Sequence, residues 1–190
     1  MLRTPYTTTV TVSDPLSWSM PVNLIHLRTS GHHSQKDYVI GLHVLVLQQN
    51  QVLRNTILNI RPNCDSGQQG QFQAFAQQPL FGEILPVLLK SLPTTNLLFL
   101  NQEQLDFFLQ TIFDSGVNFP AEHFQYALLT TLVSQTLPAP QPQVQALNQF
   151  DWSTLQQQYR AHYNTQDFAW QTYLMAIIFL QNLQKNTHIE

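Results

Sequence analysis

The sequence predicts a single α/β or α+β domain, on three observations. The chain opens with three segments rich in Val, Ile and Leu, each short enough for a strand. From residue 79 onward apolar residues recur mainly at helical spacing, interrupted by one further strand-like run. A chain of 190 residues with 43% hydrophobic content is about one domain, and long enough to enclose a core.

Residues 1–20 read as an irregular or extended arm closing at Pro21, and 21–186 as the domain. VNLIHL (22–27) is a short buried strand, and after the turn TSGHHSQKD the run YVIGLHVLVLQQ (38–49) is a second. The polar hairpin QQNQ leads into VLRNTILNIRP (52–62), whose alternation fits a half-exposed strand. A Gly/Gln-rich loop covers 63–78. PLFGEILPVLLKSL (79–92) has helical spacing, with a kink or restart expected at Pro86. TNLLFLN (95–101) is the fourth strand, and QEQLDFFLQTIFDSG (102–116) an amphipathic helix with Gly116 placed as its C-terminal cap. AEHFQYALLTTLVSQTL (121–137) reads as another helix, PAPQPQ (138–143) as a surface linker, and 153–161 and 166–185 as the last two helices.

Charge narrows the function classes. Only 10% of residues are charged, against roughly a quarter in ordinary soluble domains. A surface of neutral polar groups resists association poorly, so a protein partner or a homo-oligomer is expected. The 8 cations are outnumbered by 11 carboxylates and are scattered, at Arg3, Arg28, Arg54, Arg61, Arg160, Lys36, Lys90 and Lys185. Without a basic cluster, nucleic-acid binding by this chain alone is expected to be weak or absent. The single cysteine, Cys64, excludes an internal disulfide and has no second thiol for redox work. The first residues lack a charged head followed by an apolar run, and YLMAIIFL (173–180) is far short of the ~20 residues of a membrane span. A cytoplasmic protein without membrane contact is expected. Neither a nucleophile elbow nor a glycine-rich phosphate loop is present, the chain having six glycines.

The order of elements, with several phrases, resembles the DEDDh 3′–5′ exonuclease family, which includes polymerase proofreading subunits. In that family the first motif is an apolar strand ending in Asp-x-Glu-Thr-Thr/Ser-Gly. Here NLI runs into HLRTSG, which keeps Thr29, Ser30 and Gly31. Ile40 and Gly41 resemble the family's Ile-Gly phrase, and Asn59 to Pro62 its Asn-x-x-Pro strand end. LLFLNQEQLDFFLQTIFDSGVNFP resembles its strand, Asn, helix and Gly-containing turn, and HYNTQD (162–167) its closing His-x-Ala-x-x-Asp. The resemblance spans about residues 20–185. It implies a ribonuclease H-like α/β fold, with a mixed five-stranded sheet flanked by helices.

The departures carry the functional expectation. In the family four carboxylates hold two divalent metals about 4 Å apart. His26 stands at the first Asp, Arg28 at the first Glu, and Leu105 at the second motif's Asp; a one-residue slip would put Asp106 there. His162, matching the general base, and Asp167, matching the last acid, remain, while Asn164 replaces the usual Ala. One assured carboxylate cannot hold two hard cations, and Arg28 adds a fixed positive charge among them. The expectation is a catalytically inactive pseudo-exonuclease without metal or cofactor. It would act as a protein-interaction or scaffold subunit linked by resemblance to DNA replication or repair. The alternative is a non-cutting nucleic-acid-binding module using the vestigial cleft, and an active metal-dependent nuclease ranks last. The family's first-motif Glu and last Asp share a metal, so an Arg28–Asp167 ion pair is expected to replace it.

Other signals have plainer readings. QLDFF (104–108) resembles the sliding-clamp-binding peptide of bacterial partners but lies on a helix that should face the core. His32 and His33 fit a solvated loop. Phe168, Trp170, Tyr173 and Phe179 fit packing on the last helix better than a base-stacking platform.

Overall fold

The computed structural model describes residues 3–7, 9–14, 21–48, 51–136 and 167–187. The linker at 138–143, the helix expected at 153–161 and His162 lie outside these residues. The architecture is α/β. Strands β1 (Val22–Thr29), β2 (Val39–Gln48), β3 (Gln51–Asn59), β4 (Asn96–Phe99) and β5 (Gln125–Leu128) form one mixed sheet in the order β3-β2-β1-β4-β5. The β1–β2 and β2–β3 pairs are antiparallel, while β1–β4 and β4–β5 are parallel. No described helix is long and apolar enough to cross a membrane.

Helices cover both faces of the sheet, which is why β1 is buried along most of its length, polar Asn23 and His26 included. Helices α1 (Phe81–Ser91) and α2 (Gln102–Ser115) pack on one face, over Ile25, Leu27, Leu42, Val44, Leu97 and Phe99. Helices α3 (Leu129–Thr136) and α4 (Phe168–Thr187) close the other, over Val22, Leu24, Leu45, Leu47 and Leu98. Each leucine fully buried here contributes about 1.5–3 kcal/mol.

The caps follow the sequence. Asn101 accepts the Gln104 N–H at 3.1 Å to start α2, and Gly116, at φ 66°, ends it in the left-handed conformation. Glu83 reaches back to the Leu80 N–H at 2.8 Å at the start of α1. That helix runs through Pro86 rather than restarting there, and the loop at 63–78 contains a 3-10 helix, Gln69–Phe75. The largest correction concerns 121–137, which is not one helix. A 3-10 turn, Ala121–His123, precedes β5, and only from Leu129 is the chain α-helical. Tyr126, Ala127 and Leu128 are buried beside β4, and pairing with that strand selects the extended form.

The arm is extended but firmly tied. The Gln110 side chain accepts the Tyr6 N–H and donates to the Thr4 carbonyl, both at 2.8 Å. Arg3 pairs with Asp114 at 2.6 Å and lies over the Tyr38 ring. Val12 bridges Tyr126 in parallel, and Ser13 N–H donates to Tyr126 O at 2.6 Å, so the arm borders β5. At the opposite edge no described strand pairs with the outer side of β3. Val52, Leu53 and Ile57 there are 42%, 55% and 51% exposed.

Candidate functional site

Alternation along β1 sends Val22, Leu24, His26 and Arg28 to the face under α4. The row is apolar at its start and polar at its end, so a polar cluster forms where the first-motif carboxylates would stand. Cross-strand register brings His43 opposite His26, Gly41 opposite Arg28, and Asn59 opposite Gly41.

His26 is buried, with its Nδ1 2.9 Å from Thr172 Oγ1. The Thr172 hydroxyl in turn donates to the Phe168 carbonyl at 3.1 Å, so this contact ties β1 to the first turn of α4. Burial, reinforced by neighbouring His43, pushes the His26 pKa down to about 3, so the ring is neutral at physiological pH. His43 is wholly buried. Its Nε2 lies 2.7 Å from Asn55 Oδ1, an acceptor, and Asn55 Nδ2 donates to Tyr173 OH at 2.6 Å. Nε2 therefore carries the His43 proton, while Nδ1 is buried without a hydrogen-bond partner. Burial lowers the His43 pKa, against raising contributions from Asn55 and Asp167. The Phe168 ring covers both imidazoles, with centroids 4.7 Å from His26 and 6.1 Å from His43.

The Arg28–Asp167 ion pair does not form. Arg28 runs sideways over Gly41 instead, and its Nη2 donates to Asn59 Oδ1 at 2.7 Å. A Cβ at position 41 would stand 3.2 Å from Arg28 Cβ and Nε, so the glycine supplies the passage. The guanidinium lies 5.9 Å from the Phe75 ring centroid and 5.6 Å from that of Phe168, within cation–π range. Asp167 is exposed and caps α4, accepting from Ala169 N–H at 2.9 Å and Trp170 N–H at 3.2 Å. Its carboxylate satisfies the first orphan amides of the helix rather than a cation.

The residue that the resemblance sets at the second motif is hydrocarbon in a hydrocarbon core. Leu105 is fully buried in the core beneath α1 and α2. Asp106, one residue on and so about 100° around the helix, is exposed and accepts from Gln102 Nε2 at 2.8 Å. It borders an open polar hollow with His32, His33, Lys36 and Glu103, not the His26 cluster. Buried Gln104 does the anchoring. Its amide accepts the Leu27 N–H at 2.7 Å and donates to the Leu27 carbonyl at 3.0 Å, holding α2 on β1 past the last β4 pairing. QLDFF is helical with four of its five side chains buried, so it is not displayed as an extended peptide.

Of the six expected site positions, His26 and Arg28 share one face of β1, Asp167 caps the helix above it, and Leu105 and Asp106 lie elsewhere; His162 is outside the described residues. His43 and Asn55 complete the arrangement and were not singled out, while Asn59 was read only as a strand end and Gln104 only as part of QLDFF. The visible signal for His43 was a lone imidazole in a run of Val and Leu. Among the described residues no group of three or more His, Cys, Asp or Glu converges to hold a metal. What the cluster offers is two neutral, sheltered imidazoles and one cation stacked on aromatic rings. A scan against family models and a search of curated proteins each give no match for this chain.

Proposed function

We propose that this chain is a catalytically inactive pseudo-exonuclease with the ribonuclease H-like fold, working as a protein-interaction or scaffold subunit. The observation that carries the reading is chemical. Where the resemblance calls for metal-binding carboxylates, the chain has a neutral buried imidazole at His26, a guanidinium at Arg28 and a core leucine at Leu105. Two divalent cations need a dense set of oxygen ligands, and none of these side chains offers one. The mixed five-stranded sheet flanked by helices agrees with the fold that the resemblance implies. The association role draws on the weakly charged composition and on the apolar residues exposed along the β3 edge. The link to DNA replication or repair rests on the resemblance.

One observation favours a second reading, a non-cutting nucleic-acid-binding module. Arg28 has a neutral hydrogen-bond partner and no carboxylate within ion-pair distance among the described residues, so its charge is available to a phosphate. Affinity purification from native cells and light scattering test the first reading. A stable partner or self-association, weakened by Leu53→Lys with Ile57→Lys, supports it, and a partnerless monomer at high concentration opposes it. A salt-sensitive gel shift with single-stranded DNA, lost in Arg28→Ala, would favour the second.

A further inference from the structure

On the sheet face opposite the histidine cluster, a cavity of about 190 Å³ opens where the start of β2, the chain after β3, the start of α1 and the end of α2 meet. Tyr38, Val39, Ile60, Leu80, Phe81 and Val117 give it an apolar lining. A neighbouring hollow of about 300 Å³ shares Arg61 and Leu80 with it, so the two adjoin as one groove. Most charged groups of the cavity wall are committed. Arg3 pairs with Asp114 at 2.6 Å, and the Glu83 carboxylate accepts the Leu80 N–H at 2.8 Å.

Arg61 stands apart from these. Its backbone is pinned, N–H to the Pro79 carbonyl at 2.9 Å, which places the residue at the junction of the two hollows. Its guanidinium makes one long hydrogen bond, Nη1 to the Ala76 carbonyl at 3.3 Å, and no described carboxylate lies within ion-pair distance. A guanidinium has five donors in a planar fork that matches a carboxylate. An apolar cavity of about 150 Å³ accommodates benzene, so this one has room for a single ring or a branched aliphatic group of that size.

We infer that the groove is a binding site for a small monocarboxylic acid, its apolar group in the cavity between Val39, Ile60 and Phe81 and its carboxylate on Arg61. The site goes beyond the proposed function and is independent of the vestigial cleft. An amine in the same place would set a second cation beside Arg61, and an uncharged analogue would forfeit the forked contact.

The test is titration of the full chain with hydrocinnamate, followed by amide resonances. Saturable shifts at Val39, Ile60 and Val117 are expected at roughly millimolar concentration or below. Hydrocinnamyl alcohol should bind the unaltered chain at least about tenfold more weakly, and hydrocinnamate should bind Arg61→Gln more weakly by a similar factor. The alcohol measurement needs no variant, so it stands even where Arg61→Gln folds poorly. Non-saturating shifts, shifts confined to other residues, or equal binding of acid and alcohol would each overturn the assignment.

Discussion

Arg28 reaches Asn59 across an intervening strand, passing over Gly41 to donate from Nη2 to Asn59 Oδ1 at 2.7 Å. That path explains why the cation on β1 does not turn toward Asp167. It also makes position 41 the control point of the cluster, since any Cβ there meets Arg28 at 3.2 Å. Gly41→Ala should destabilise by about 1 kcal/mol in the natural background and by less after Arg28→Ala, which removes the Nε contact but keeps the Cβ at position 28. Arg28→Ala and Asp167→Ala should add to within about 0.5 kcal/mol. Urea denaturation of the single and double variants measures both, and Arg28–Asp167 coupling well above that would mean they interact after all.

Acidity should weaken the fold through the two imidazoles. Both have folded-state pKa values below the ordinary histidine value of 6.5, His26 down to about 3. Between about 3 and 6.5 the unfolded chain therefore binds a proton at His26 that the folded chain refuses. Stability is unaffected by this group above the unfolded value and falls as pH drops below it. From pH 7 to pH 5 the loss from His26 alone is roughly 2 kcal/mol. Denaturation at pH 7, 6 and 5 should follow that course, and His26→Leu should flatten it by close to one proton. A slope unchanged by the substitution would contradict the assignment.

Gln104 should matter more than an ordinary helix glutamine. Its truncation leaves both polar groups of Leu27 without their side-chain partner, in a residue that is itself buried. Gln104→Ala should cost about 2–6 kcal/mol, at 1–3 kcal/mol for each of the two unsatisfied buried groups. The exposed neighbour gives the comparison. Asp106→Ala, on the same turn, should stay within about 0.5 kcal/mol of the natural chain by the same denaturation assay.

Much of the fold was legible because period and burial agree. The first three strands, β4, the α2 helix and its Gly116 cap follow directly from apolar pattern and capping chemistry. β5 was hidden for a physical reason. The run YALLTTLV is apolar enough for a buried helix as well as for a buried strand followed by a helix, and a short apolar run does not tell them apart. Only pairing with β4, a non-local contact, decides between them. That His26 and Arg28 share a face of β1 follows from strand alternation, but the direction Arg28 takes does not. The sequence places Arg28 on the strand that should lead to the cleft, but the missing side chain of Gly41 on β2 sends it toward β3. His43 was concealed because its strand reads as hydrocarbon, and its role depends on the register that sets it against His26.

We propose that the chain does not perform metal-dependent hydrolysis, and degradation of labelled single-stranded DNA tests this most directly. Purified protein with magnesium or manganese should leave the substrate intact. So should His26→Asp with Arg28→Glu, because Leu105, which the resemblance sets at the second-motif position, is buried in hydrocarbon. Metal-dependent shortening of the strand by the natural chain, abolished by Asp167→Ala in protein that remains folded, would contradict the account.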